Sequence, residues 1–332
     1  MIETVRSRVR KVLRGETPAD RLPVIEWATW WDQTIARWHR EGLPAALDNP
    51  GIKRHFGLDV DYQLWFPQMA AGATPKDAGH VARWIENPAD YDDLRPFLYP
   101  DPVPFDHELW RRRAAEQAAG DVVIWITLSG FFWWPRVLLG IEPHLYAFYD
   151  QPDLMRRINE DQAGYMLRCM EEFRAVCTPD FMTFAEDMSY NHGPMISKRQ
   201  FDTFLAPCYR RVVPEIKEHG TVVLVDSDGD VEPLVPWLLE AGIDGILPLE
   251  RMAGVDVNRV RANHPEWVMI GGFDKTVMHR GEDAMRREFE RLLPAMRSGR
   301  YIPAVDHQTP PEVSLPDYRL YLQLLREYSA VA

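Results

Sequence analysis

Short apolar runs that end in acidic residues recur through the second half of the chain. They span 181–185, 222–225, 245–249, 268–272 and 301–305, and lead into Glu186-Asp187, Asp226-Ser227-Asp228, Glu250, Asp274 and Asp306-His307. Apolar runs of about four to six residues bounded by turn signals are the pattern of strands buried on both faces, as in a parallel sheet. The intervals 197–218, 233–241, 256–263, 281–297 and 316–329 carry amphipathic helical spacing. Strand and helix in alternation predict an α/β fold, a TIM (β/α)8 barrel. In such a barrel the C-terminal ends of all strands open on one face, where active sites sit.

The first half is less regular. A helix is expected over 3–15 as an N-terminal extension, then a first strand over 22–27 that delivers Glu26 and Trp27 to the barrel mouth, with Trp30 and Trp31 just beyond. A weak second strand is expected over 62–66, a polar, Pro-rich insertion over 87–107, and a strand over 122–128 ending at Ser129-Gly130. Helices are expected over 135–140, 144–150 and 152–176, and eight strands result if the one near residue 64 forms. No repeat of 20–50 residues accompanies the pattern, which excludes a solenoid.

With 332 residues, 46% of them hydrophobic, and no low-complexity linker, the chain reads as a single domain over 1–332. Its formal net charge of −12 argues against nucleic acid and anionic membrane surfaces as partners. No apolar run of about 18 residues and no signal-peptide core are present, so a cytoplasmic protein is expected. Cys169, Cys177 and Cys208 fall in predicted helices without metal-site or disulfide spacing, and read as packing residues.

The strand ends hold the candidate chemistry. Asp226 and Asp228 could cap the next helix, or could bind a metal or substrate at the mouth. Neighbours on a strand face opposite ways, so only one of Glu186 and Asp187 enters the pocket; Glu186, on the side of Phe184, is assigned to it. Glu250 could pair with Arg251, and Asp274 could cap the turn after it. His307, beside Asp306, could bind metal or move protons near neutral pH. Trp27, Trp30, Trp31, Phe131, Phe132, Trp133 and Trp134 all fall beyond strand ends, and predict an aromatic wall suited to a flat apolar ligand.

Three segments, in order, resemble the uroporphyrinogen decarboxylase superfamily, a TIM-barrel group. They are the glycine-aromatic turn at 129–135 with Gly140, the Gly271-Gly272-Phe273-Asp274 strand end, and the Asp306-His307-Gln308-Thr309-Pro310-Pro311 strand end. The decarboxylases of this group act on a tetrapyrrole with eight carboxylates and carry an arginine-rich N-terminal motif. Here the equivalent stretch is Glu26-Trp27-Ala28-Thr29-Trp30-Trp31-Asp32, acidic and aromatic, and the tyrosine after the glycine-aromatic turn is replaced by Val137-Leu138-Leu139. Carboxylates beside a polyanion repel it, so tetrapyrrole decarboxylation is disfavoured.

The group's other branch comprises methyltransferases that exchange a methyl group with a corrinoid protein or a thiol. Several hold zinc through His-x-Cys and a later Cys, where this chain has Asp226-Ser227-Asp228 and His307. Carboxylates with imidazole suit harder divalent ions, or zinc as a Lewis acid. The resemblance thus implies a metal-assisted methyltransferase or O-demethylase acting on a small substrate such as an aryl methyl ether. In this reading a divalent metal, zinc or another, is held among Asp226, Asp228, Glu250 and His307; His307, Glu186 and Asp274 are catalytic; and Glu26 joins the aromatic residues around the substrate. A corrinoid on a separate protein would accept the methyl group, no tightly bound organic cofactor is expected, and family habit implies a homodimer. The alternative is a cofactor-free decarboxylase of a smaller aromatic acid, with His307 and Asp274 handling protons. A third reading is a small-molecule binding protein without turnover.

Overall fold

The structure, a computed structural model, describes residues 3–76 and 83–330. Among these residues nine strands form: β1 (Val60–Trp65), β2 (Val122–Ser129), β3 (Phe181–Ala185), β4 (Ser189–Tyr190), β5 (Gly193–Pro194), β6 (Val222–Asp226), β7 (Gly245–Leu247), β8 (Val268–Phe273) and β9 (Tyr301–Val305). The short β4 and β5 pair as an antiparallel hairpin, and the other seven make one sheet in the order β1-β2-β3-β6-β7-β8-β9. Every pairing in that sheet is parallel, with helices between successive strands. The result is an α/β fold with a curled parallel sheet, TIM-like in kind.

Each regular element follows from its residues. β2, β3, β8 and β9 are buried along their whole length, as strands covered on both faces must be. On β3 the large Phe184 packs outward against Tyr209 of the helix Ala206–Lys217, while the small Ala185 faces inward. The helix expected over 197–218 is interrupted by a π turn at Phe201–Leu205. Pro207, just beyond it, has no N–H for the usual i→i−4 bond, which accounts for the break. Cys169, Cys177 and Cys208 are free, and burial pushes each thiol up to about 12. Among the described residues no helix is long and apolar enough to cross a membrane.

The expected first strand over 22–27 does not form. Pro23 has no N–H to give, and the Val24 N–H goes to the Asp59 carboxylate at 2.9 Å rather than to a neighbouring strand. The segment nevertheless bridges the two edge strands. Asp59 N donates to Val24 O at 2.8 Å just before β1, and Trp27 Nε1 donates to Val305 O at 3.0 Å at the end of β9. Arg8 and Arg21 both bind Asp59, which ties the helix Val5–Arg14 to the same point. The Pro-rich stretch 87–107 holds a short helix, Pro88–Leu94, docked on the long helix Pro152–Arg174 through Tyr91 Oη and Arg95 to Asp161.

Glu26 lies inside this bridge rather than at the mouth. It is 1% exposed, its Oε2 accepts the Tyr318 hydroxyl at 3.0 Å, and its Oε1 has no partner among the described residues. Burial raises its pKa from 4.5 to about 8. The folded value lies above the unfolded one, so the protonated acid favours the fold and this contribution is lost as pH rises from 4.5 toward about 8. Glu26→Gln keeps the shape without the charge. We expect it to flatten the fall in stability between acid and mildly alkaline pH by about 2 kcal/mol, measured by chemical denaturation; an unchanged pH dependence counts against a buried, strained carboxyl.

Candidate functional site

The inward positions of the sheet converge at the C-terminal ends of its strands on a cavity of about 360 Å³. Four indoles wall it: Trp27 from the bridge, Trp65 at the end of β1, Trp125 within β2 and Trp133 from the turn after β2. Gln63 and Ala185 lie between them, and three carboxyls (Asp187, Asp226 and Asp228) face in with His307 and Gln308. Beneath, a polar chain crosses three strands: Gln63 Nε2 donates to Thr127 Oγ1 at 2.9 Å, and Thr127 and Thr183 hydroxyls meet at 2.9 Å.

Period-two alternation decides which acids reach the cavity. On the extension of β6, Asp226 and Asp228 face in, while Ser227 is fully buried and its Oγ accepts the Met188 N–H. Beyond β3, Asp187 faces in and Glu186 turns outward, the reverse of the sequence assignment. Glu186 does share the side of Phe184, as expected, but that side packs on the helix layer. Its carboxylate accepts the backbone N–H groups of Phe131, Phe132 and Trp133 at 2.7, 2.7 and 3.1 Å, and the Tyr209 hydroxyl. Burial still pushes its pKa up to about 7. Gly130 is required beside it, because a Cβ there would lie 2.0 Å from the Glu186 carboxyl. Asp187 then takes a φ of 40°, the left-handed region, as the chain leaves the strand.

The last strand repeats the device. Asp306 is fully buried, and its two oxygens accept Arg251 N at 3.0 Å and Lys275 N at 3.2 Å, fixing the turns after β7 and β8. His307, next in sequence, faces the cavity with its Nε2 3.7 Å from Asp228 Oδ2 and its ring edge-on to Trp27. Burial and Lys275 hold its pKa below the usual imidazole value. Burial, then the charges of Glu250 and Asp187, push Asp228 up to about 7. Burial, then Asp187 and Asp228, raise Asp226 well above the carboxylate range. Among the described residues no Lys or Arg lines the cavity, but the Arg136 guanidinium lies 4.7 Å from the centre of the Trp133 ring, and Lys275 acts on Asp228 from behind the wall.

Of the aromatic wall expected from sequence, Trp27 and Trp133 line the cavity and the rest do not. Trp30 packs with Trp38, Phe56 and Tyr318; Phe131 packs on Tyr209; Phe132 packs on His144; and Trp134 Nε1 donates to Tyr99. Trp31 stands exposed at 43%. A helix that begins at once after the turn draws these rings into its own packing. Asp274 caps the turn Lys275–Arg280 through Thr276 N and does not line the cavity; Glu250 sits behind Asp228 and accepts Gly229 N at 3.0 Å. Sequence reasoning missed Asp187, Gln63, Trp65, Trp125 and Gln308. A polar residue and a tryptophan two apart in β1, and a tryptophan inside the apolar run of β2, were the available signals.

Asp226, Asp228, Glu250 and His307 have the charge for a divalent ion. Among the described residues, however, no three His, Cys, Asp or Glu side chains stand together as a ligand set. The donors as arranged do not fit a metal.

The fold has close counterparts. A methyltransferase from Methanosarcina mazei matches over 98% of this chain and 99% of its own, with a TM-score of 0.68 at 15% identity. An endo-1,4-beta-mannanase from Rhizomucor miehei matches over 95% and 97%, with a TM-score of 0.51 at 10% identity. Likeness at such identity speaks to the fold alone. No curated protein sequence matches. The family model "Uroporphyrinogen decarboxylase (URO-D)" matches residues 154–328, just over half the chain, from the long helix after β2 through the last strand and the helix behind it. The chain belongs to the uroporphyrinogen decarboxylase (URO-D) family.

Proposed function

We propose that the protein is a methyltransferase-type enzyme that removes a methyl group from a small substrate bound in the four-tryptophan cavity, with a corrinoid on a partner protein as acceptor. The carrying observation is the lining itself: four indoles and three carboxyls with His307 and, among the described residues, no Lys or Arg in direct contact with the space. A substrate carboxylate would face Asp187, Asp226 and Asp228 directly, with the nearest cations, Lys275 and Arg136, outside the lining, which speaks against decarboxylation of a small aromatic acid. The methyltransferase fold of the Methanosarcina protein supports the same direction. Action in the cytoplasm, as a homodimer, belongs to this proposal.

A corrinoid acceptor would supply the electron pair of the new bond to the methyl carbon, and the pair of the broken bond would stay on the leaving atom. This chain's residues bind and orient the donor. The indole walls exclude water from the methyl group, and the Gln63–Thr127–Thr183 chain keeps the floor polar. An ether oxygen, as in the aryl methyl ether expected from sequence, must also gain a proton as it departs. The burial-raised carboxyls of Asp226 and Asp228 are the donors the cavity offers. A leaving atom that already carries positive charge needs no proton. No step is assigned to a metal.

The test is demethylation of a panel of small methylated compounds, neutral and charged, with and without a corrinoid acceptor. Demethylated product is expected only with the acceptor, and Trp133→Leu is expected to lower kcat/KM about ten- to a hundredfold through lost positioning. Carbon dioxide release from an aromatic acid without acceptor would overturn the proposal. Because the ligand set does not converge, turnover is expected to survive exhaustive chelation within about twofold; loss of activity restored by zinc would place a metal in the site after all.

A further inference from the structure

The carboxyls around the strand ends fall into two kinds. Those turned away from the cavity are satisfied by the protein: Glu186 accepts three backbone N–H groups and a hydroxyl, and Asp306 accepts two backbone N–H groups. Those facing the cavity are not. Among the described residues no hydrogen-bond donor reaches the Asp226 carboxylate, Asp187 accepts one long bond of 3.3 Å from Asp228 N, and Asp228 has only His307 at 3.7 Å. A buried acid without a partner keeps its proton, and a cation brought by the ligand is what lets it ionise.

The other lining groups choose between these. A neutral hydroxyl compound would satisfy one carboxyl and leave the rest repelling one another. An ammonium bearing N–H groups would place them against indole faces that accept hydrogen bonds poorly. A methylated cation has no N–H to satisfy, spreads its charge over its methyl groups, and is attracted by the faces of tryptophan rings as well as by carboxylates. We infer that the molecule this cavity takes is a small methylated onium compound, a quaternary ammonium or a sulfonium, held between the indoles of Trp27, Trp65 and Trp125 and the carboxylates of Asp226 and Asp228; the Trp133 ring already carries Arg136. This rests on the methyl-transfer reading and narrows its donor. It also removes the need for an acid, since the broken C–N or C–S bond leaves its pair on an atom that becomes a neutral amine or sulfide. A cavity of about 360 Å³ lies at the small end of ligand pockets, which suits such a compound.

Choline and its neutral carbon isostere, 3,3-dimethylbutan-1-ol, separate charge from shape. Both are titrated into the full-length protein at fixed ionic strength, by tryptophan fluorescence and calorimetry. Choline is expected to bind saturably and at least about tenfold tighter than the alcohol. Trp65→Leu, at a ring 48% exposed and so removable without unfolding, and Asp226→Asn are each expected to weaken choline about tenfold and the alcohol hardly at all. Equal or tighter binding of the alcohol, or no saturable binding of choline, overturns the inference. Corrinoid-dependent demethylation of anisole by a protein that ignores choline would do the same while leaving the methyl-transfer reading intact. Saturable choline binding without methyl loss from any donor would sink that reading and keep the cation site.

Discussion

One buried carboxylate organises the strand-end face of this curled sheet. Glu186 collects the N–H groups of Phe131, Phe132 and Trp133, the first turn after β2, and adds the hydroxyl of Tyr209 from the helix behind. Those N–H groups belong to the start of the helix Trp133–Leu139, where backbone donors have no partner inside the helix and a carboxylate is favoured. The bond network therefore settles three things at once. It aims Trp133 at the cavity, it draws Phe131 and Phe132 into the core, and it takes Glu186 out of the cavity so that Asp187 can enter. Gly130 is the steric condition for all of them.

The same division of labour recurs at the last strand. Asp306 is spent on the backbone of Arg251 and Lys275, and His307 is presented. In both pairs the first residue, still in register with the strand, points to the helix layer and fixes a neighbouring turn, while the second points to the axis. A satisfied buried carboxylate can stabilise its surroundings, whereas an unsatisfied one costs stability. The acids of this site thus divide into structural ones, paid for by backbone donors, and exposed-to-cavity ones that only a ligand can complete.

Much of this was legible in the sequence, and the failures have definite causes. The strands of the main sheet from β2 onward follow from apolar runs of the right length, because a strand covered on both faces must be apolar throughout; the two-residue strands of the hairpin β4–β5 carry no such run. The bridge over 22–27 has strand composition, but its Val24 N–H goes to the Asp59 carboxylate and its link to Val305 is the Trp27 side chain, which no local pattern reveals. The choice at Glu186 failed on side rather than on period: Phe184 and Glu186 do share a face, but in a barrel the bulky ring belongs between strand and helix and the small Ala185 belongs at the axis. The aromatic loops were over-read, since a ring's position next to a strand end does not say whether the following helix claims it. Trp65 and Trp125 read as ordinary strand residues in the sequence, and only the curl of the sheet turns them inward.

Family membership and lining chemistry then answer different questions. The URO-D match and the shared fold establish which scaffold this is. They do not choose the substrate, because a barrel keeps its frame while the residues at its strand ends change. Electrostatics does the choosing here. A tetrapyrrole with eight carboxylates would meet three inward carboxyls and no guanidinium or ammonium, in a space of about 360 Å³. Protonating Asp226 and Asp228 lessens the repulsion, but no cation stands among the lining residues described to bind the carboxylates. On the proposed reading the cavity selects by sign before it selects by shape.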